Sequence, residues 1–93
     1  MRADESEPLD ELLRAVAHPA RRRILAIAAD APVSAGDLAR TLGLANATTS
    51  EHLKVLRKTG LLVLTKEGTY RRYQADRSRL TRLARWLADF PHD

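Results

Sequence analysis

The chain has 93 residues, 44% of them apolar, which allows one small domain with a packed core. It has no cysteine, which excludes disulfides, thiolate metal sites and a cysteine nucleophile, and it has no apolar run long enough to span a bilayer. The formal net charge is +4 and is unevenly spread, because residues 1–11 carry five acids against one arginine whereas residues 54–85 carry ten basic side chains against two acidic ones.

The N-terminal third of the chain is predicted to hold a polar segment and two helices. Residues 1–7 are short, polar and acidic, so we expect them to be disordered, with one ordered domain over residues 8–90. The same segment lacks the apolar core of a signal peptide, which favours a cytoplasmic protein with no membrane partner. Apolar residues at helical spacing predict a helix from Pro8 to Val16 and another from Pro19 to about residue 30.

Two further helices are predicted on either side of a glycine. Ser34 is predicted to cap the third helix, with Asp37 completing a capping box, and Gly43 is predicted to end it in a left-handed conformation. The fourth helix is predicted over residues 46–59. This pair forms a helix-turn-helix, whose second helix enters the major groove of DNA.

A hairpin and a last helix complete the predicted elements. Residues 61–65 and 70–75 are predicted strands around a turn that contains Gly68, and Ser78 is predicted to cap the final helix. The predicted fold is therefore mainly α with a small β-hairpin, in the order α-α-α-α-β-β-α, which is a winged helix-turn-helix.

The predicted fourth helix has two chemically different faces. Thr49, Leu53 and Leu56 share the inward face, and the outward face carries small polar and basic side chains that let the backbone approach base edges. The residues predicted to contact DNA from this helix are Asn46, Ala47, Thr48, Ser50, Glu51, His52 and Lys54.

Two of these assignments keep a structural alternative. Asn46 suits capping of the helix as well as pairing with adenine. Glu51 accepts a hydrogen bond from cytosine or pairs with a neighbouring cation such as Lys54 or Arg57.

The hairpin is predicted to be a wing that contacts DNA. Lys66, Arg71 and Arg72 lie on its tip and return strand, where cationic side chains reach phosphates or a minor groove. The alternative is a solvated hairpin whose charges protect an edge strand. A concentrated basic face also attracts polyanions in general, although charge alone does not separate this from a solvated surface.

Several segments together carry a family resemblance. The most specific is Ser50-x-His-Leu-Lys-x-Leu followed by Gly60-Leu61, and the others are residues 17–25, residues 37–44, and Glu67-Gly68 with Tyr73. These segments resemble the ArsR-type family of winged-helix repressors, and the resemblance spans roughly residues 9–75. The resemblance implies a homodimer, built from the first and last helices, whose two recognition helices bind a palindromic operator.

The apolar stripes on the first and last helices fit the implied dimer. A monomer would leave much of both stripes in water, at a cost of ~25 cal/mol per Å². We expect part of each stripe to pack within the chain and part across the dimer. The residues predicted for this interface are Leu9, Leu12, Leu13, Val16, Leu80, Leu83, Trp86, Leu87 and Phe90.

The chain departs from the family at several places. Relatives that sense metals carry Cys-x-Cys near the third helix, and residues 33–37 hold no such ligand. On the last helix only Asp89 and His92 have suitable spacing, so we expect a frayed terminus, no metal site and no cofactor. Ala45 stands where relatives commonly have Ser, which moves the predicted cap to Asn46, and His52, the family's histidine, is expected to pack or to contact phosphate.

The sequence as a whole predicts a sequence-specific transcriptional regulator of duplex DNA, acting as a homodimeric ArsR-like repressor. Two alternatives remain open: a sensor that releases DNA when an unidentified small molecule or metal binds, and a winged-helix module that binds proteins. An enzyme is not expected, because the chain has no Ser-His-Asp order, no paired catalytic carboxylates in an apolar setting and no glycine loop that cradles phosphate.

Overall fold

A computed structural model describes residues 3–90, with side chains from residue 9 onwards. The elements in chain order are α1 (Ala3–Val16), α2 (Pro19–Asp30), α3 (Ala35–Leu42), α4 (Asn46–Lys58), β1 (Leu62–Glu67), β2 (Tyr70–Ala75) and α5 (Arg77–Ala88). This order confirms the predicted winged helix-turn-helix. Within the described range, none of the helices is both long and apolar enough to cross a membrane.

The first helix begins earlier than predicted. α1 starts at Ala3, so the helix includes residues 3–7, which the sequence predicted to precede it. Pro8 consequently falls inside the helix rather than at its start.

The core lies beneath α4, where α2, α3 and the hairpin meet. Ile24 of α2, Leu38 of α3, Leu56 of α4 and Leu62 of β1 are almost completely buried. Burying a side chain of this kind contributes about 1.5–3 kcal/mol. These contacts fix the position and the rotation of α4 against the rest of the domain.

The turn between α3 and α4 has the predicted glycine geometry. Ser34 Oγ accepts a hydrogen bond from the backbone N–H of Asp37 at 3.1 Å, whereas the Asp37 carboxylate pairs with Arg40 instead of closing the second half of the capping box. Gly43 ends α3 at a φ of 67°, where a side chain would be strained. The chain therefore reverses sharply enough to set α4 against α3.

The hairpin is longer than predicted on its first strand. Leu62 pairs with Ala75 and Glu67 pairs with Tyr70 in an antiparallel register, so the strands are joined by the two residues Gly68 and Thr69. β2 is held on its other side as well, by an isolated bridge between Tyr73 and residue 33. The return strand therefore lies between two hydrogen-bonded neighbours at this point.

The last helix is capped by a different residue from the one predicted. The carboxylate of Asp76 accepts from the backbone N–H groups of Ser78 and Arg79 at 3.0 and 3.2 Å, so Ser78 lies inside α5 and does not cap it. A charged acceptor is stronger than a hydroxyl, which explains why Asp76 takes this position. Arg79 also covers Gly60, where an added Cβ would lie 2.7 Å from its Nε.

Candidate nucleic-acid interface

The inward face of α4 is buried as predicted. Thr49, Leu53 and Leu56 are 1%, 2% and 0% exposed. The buried hydroxyl of Thr49 donates to the carbonyl of Ala45 at 3.0 Å, so it is not left without a partner. α4 is therefore anchored along one side only.

The outward face of α4 is uncovered by the rest of the described chain. The predicted DNA contacts that the structure places there, all exposed, are Asn46, Ala47, Thr48, Ser50, Glu51 and Lys54. On this outward face, the first two turns of the helix carry only short side chains apart from Glu51. A backbone with short side chains can come close to another surface.

Asn46 does not cap the helix. The backbone at Ala45 is extended, with φ −63° and ψ 150°, so Ala45 is the N-cap and no side chain hydrogen-bonds the first turn. Asn46 is already the first helical residue, and its side chain is exposed. The predicted shift of the cap from position 45 to Asn46 is therefore wrong, and its amide is available to another molecule.

Glu51 does not form the ion pair that was its alternative role. The ion pairs between described residues are Asp37 with Arg40 and Asp76 with Arg79. Neither of the two cations on α4 considered for Glu51 is therefore paired with it. The outward face of α4 exposes its charges separately.

His52 packs between α2 and α4, which is one of its two predicted roles. It is 8% exposed, its Nδ1 accepts from Nε of Arg21 at 3.2 Å, and its ring lies 4.5 Å from that of His18. Burial lowers the pKa of His52, and the nearby His18 and Arg21 lower it further because they disfavour a second positive charge. The side chain is thus a neutral link between α2 and α4, and assigning it to DNA is not supported by its position.

Two arginines of the wing that were both predicted to contact DNA lie on opposite faces of the hairpin. Side chains alternate between the faces of a strand, so Arg71, which pairs with Lys66, shares a face with Tyr73, whereas Arg72 pairs with Thr65 on the other face. Tyr73 lines a groove against α4. Lys66 and Arg71 therefore lie on the α4 side of the hairpin and Arg72 on the far side, although all three are exposed.

The groove beside Tyr73 also exposes a cation that the sequence analysis did not assign to DNA. Arg57 lines it together with Lys54, whereas the sequence indicated Arg57 only as a partner for Glu51. Its position three residues after Lys54 places the two on one edge of the helix. This spacing could have identified Arg57 in the sequence as a further candidate DNA contact.

Comparisons with known proteins agree with this architecture. A model described as a helix-turn-helix domain matches residues 16–65, which is more than half of the chain. The HTH-type transcriptional regulator CmtR from Mycobacterium bovis is 45% identical over 74 residues, a match covering 80% of this chain and 63% of that protein. An ArsR-like transcriptional regulator from Rhodococcus sp. RHA1 superposes with a TM-score of 0.87 at 30% identity, covering 95% of this chain and 81% of the other.

The chain belongs to the ArsR-type family of helix-turn-helix transcriptional regulators. A second solved structure agrees, the homodimeric winged helix-turn-helix DNA-binding domain of Mb0332 from Mycobacterium bovis, with a TM-score of 0.78 and 26% identity over 98% of this chain and 87% of that one. The chain spans less than two thirds of the length of CmtR. The residues that the family model matches run from the end of α1 into β1.

The terminal helices of this ArsR-type chain bury only part of their apolar stripes. Leu12, Val16 and Leu80 pack against the core, and Leu83 is buried. Leu87 and Phe90 are 51% and 55% exposed. The remaining residues predicted for a dimer are half-buried; these are Leu9, Leu13 and Trp86.

Metal-ligating groups in the ArsR-type chain do not converge within the described range. Between residues 9 and 90, no three His, Cys, Asp or Glu side chains lie close enough together to hold a metal ion. Asp89 is the C-cap of α5. His92, its suggested partner, lies outside the described residues.

Proposed function

We propose that this chain binds duplex DNA as a homodimer and represses transcription from an inverted-repeat operator. One observation carries the proposal: α4 is buried along one face and presents an uncovered opposite face whose first turns hold small polar side chains. A helix is about 10–12 Å across, which matches a major groove about 12 Å wide. α4 can therefore enter the groove without any other element moving away.

Each exposed residue of α4 has a role that its chemistry suits. The Asn46 amide pairs with adenine, and the hydroxyls of Thr48 and Ser50 bond several base edges, while Ala47 lets the backbone approach closely. Glu51 accepts from a cytosine amino group. Lys54 binds a flanking phosphate.

The wing contributes backbone contacts that carry no sequence information. Lys66 and Arg71 bind a phosphate from the hairpin face on the α4 side. Arg72 lies on the far face and contributes through its charge at longer range. Removing any of these cations is expected to weaken binding to all sequences alike.

The dimer is supported by the unburied end of the α5 stripe. Trp86 and Phe90 stack edge to face with ring centroids 5.3 Å apart, beside the half-exposed Leu87. Covering this cluster with the same cluster of a second copy removes it from water. A two-fold dimer then presents two α4 helices to half-sites about 34 Å apart.

The test is binding to a duplex selected by this protein from a randomised pool, at two salt concentrations. Asn46→Ala should relax the preference at one base pair, by about 1–3 kcal/mol. Lys66→Gln should instead weaken all sequences equally and flatten the dependence on salt. Gln74→Ala, on the exposed far face of the hairpin, is the matched control and should change neither.

The regulator assignment has a clear point of failure. Binding that is salt-sensitive but has no sequence preference in the unmodified protein would exclude it, and so would tight binding to an acidic protein without affinity for DNA. A selected sequence without two-fold symmetry would leave DNA binding intact and exclude the inverted-repeat operator.

A further inference from the structure

An open groove runs between the C-terminal half of α4 and the return strand of the wing. Its volume is about 420 Å³, and its lining residues are Ser50, Leu53, Lys54, Arg57, Lys58 and Tyr73. Leu53 is buried and forms part of its apolar side, whereas the three cations are exposed. We call this the α4–wing groove.

The α4–wing groove is lined by three cationic side chains. None of its lining residues is acidic. Among the described side chains, neither of the two ion pairs includes Lys54, Arg57 or Lys58. Three positive charges on one edge of a helix, none of them held in an ion pair, attract an anion.

The wall opposite these cations is held rigidly. The backbone of Tyr73 exchanges two hydrogen bonds with Val33, at 2.7 and 2.9 Å, and Tyr73 also pairs with Leu64 in the hairpin. Its ring is half-buried and faces the groove. The width of the groove is thus set by backbone pairing on both sides of β2 rather than by a mobile side chain.

The distance along α4 indicates which part of DNA reaches this groove. Ten residues separate Ala47 from Arg57, which is about 15 Å along the helix axis at 1.5 Å per residue. The major groove is only about 12 Å wide. When the first turns of α4 contact base edges, Arg57 is therefore at the rim, where the phosphate backbone runs.

We propose that the α4–wing groove holds one backbone phosphate of the bound duplex, clamped between Arg57 and Tyr73. The proposal rests on the DNA binding proposed above. It adds a phosphate contact that lies between the base-reading end of α4 and the wing. The planar guanidinium of Arg57 donates two parallel hydrogen bonds to phosphate oxygens. Lys54 and Lys58 flank it as point charges, and the Tyr73 hydroxyl donates from the opposite wall.

The first experiment compares Arg57→Gln with Arg23→Gln on the selected duplex. Both substitutions remove one charge from an exposed position on a helix, but Arg23 lies on α2 and does not line the groove. A dimer of Arg57→Gln loses two phosphate contacts, so the slope of log affinity against log salt should fall by about 1.8. The affinity at 0.15 M salt should fall on the order of 30-fold, with the base preference unchanged, and Arg23→Gln should change neither.

The second experiment locates the phosphate. Duplexes carrying a single neutral methylphosphonate in each half-site are scanned against the unmodified protein and Arg57→Gln, with circular dichroism confirming that the variant is folded. A methylphosphonate at one linkage should lower the affinity of the unmodified protein for the duplex. The same methylphosphonate should not lower the affinity of Arg57→Gln any further. Tyr73→Phe, which keeps the ring and removes the hydroxyl, should lower the affinity for the duplex, because it loses a contact with the phosphate of that same linkage.

Two results would overturn the assignment while leaving the proposed function in place. Equal salt slopes for Arg57→Gln and Arg23→Gln would exclude a phosphate in the groove, and a changed base preference in Arg57→Gln would make Arg57 a base-reading residue. Failure of the unmodified protein to select any sequence would be the separate failure of DNA recognition itself, and would overturn both.

Discussion

The segment from α2 to β2 buries its apolar side chains more completely than the helix α5 does. In the segment from α2 to β2, Ile24, Leu38 and Leu56 are 0% exposed, and each element packs extensively against at least one other. α5 has no comparably extensive contact with the other described elements, and Leu87 is 51% exposed. The first region completes its core within one chain, whereas the second leaves part of its apolar surface exposed.

The largest expected effect comes from removing a side chain at the centre of the first region. Leu56→Ala should lower the free energy of unfolding by about 2–5 kcal/mol, because it leaves a cavity among fully buried neighbours. Leu87→Ala, at a half-exposed position, should lower it by less than about 1 kcal/mol in the monomer. Urea unfolding at protein concentrations below dimer formation measures both. If the two variants lose similar stability, the contrast between the regions is wrong.

The second expected effect is on dimerisation, and here a change at Leu87 should have the large effect. Burying the exposed half of Leu87 in a symmetric dimer contributes about 1.5–3 kcal/mol over two copies, so Leu87→Ser should weaken dimerisation about 10- to 100-fold. Val63→Ser is the matched control, since Val63 is 43% exposed but lies on the hairpin. Sedimentation equilibrium separates them. A dimer weakened equally by both changes would place the interface elsewhere than α5.

The contrast between the regions also explains what the sequence could predict. The buried and exposed faces of α4 follow from a period of 3.6 residues, so Thr49 and Leu53 were assigned correctly to the inside. The separation of Arg71 from Arg72 follows from a period of two and was available in the sequence, although the two were assigned together.

Other features depend on contacts that no local pattern contains. The hydrogen bond that holds His52 inside comes from Arg21, 31 residues away. The position of the α4 cap depends on where the backbone after Gly43 becomes helical, which residue preference alone placed one residue too late. The missed start of α1 has another cause, since a polar composition is shared by disordered segments and by exposed helix ends.

The third expected effect is an acid sensitivity located in the first region. His52 has a pKa below its usual value of 6.5 in the folded chain, so below pH 6.5 the unfolded chain takes up a proton that the folded chain resists. The free energy of unfolding should therefore be constant above about pH 7 and decrease as the pH falls below 6.5, by at most about 1.4 kcal/mol per pH unit. The decrease ends where folded His52 also becomes protonated.

A variant without the titrating group tests this assignment. His52→Leu should lose the acid-dependent step below pH 6.5, even though the loss of the Arg21 contact makes it less stable at every pH. His18→Gln is the control, because it keeps His52 and should keep most of the step. An unchanged pH profile in His52→Leu would place the acid sensitivity in another group.

The smallest expected effect lies at the start of α5 and should remain local. The hydrogen bond from the Ser78 hydroxyl, followed by the one from the Arg79 backbone, holds the pKa of Asp76 below its usual value of 3.8. The stabilisation from Asp76 is therefore present above pH 3.8 and is lost as the pH falls through the lower folded value, a window well below that of His52. Asp76→Ala should remove it at neutral pH.

Hydrogen exchange can separate this local loss from a global one. In Asp76→Ala the amides in the first turn of α5 should exchange faster, while those of Leu56 and Leu62 in the core should exchange as before, because the core does not depend on that cap. Ser34→Ala removes the corresponding cap from α3 within the first region, and it should accelerate the core amides, at a cost of about 1 kcal/mol. If Asp76→Ala also accelerated the core amides, α5 would unfold together with the rest of the domain, and its dependence on a second molecule could not be separated from the stability of the core.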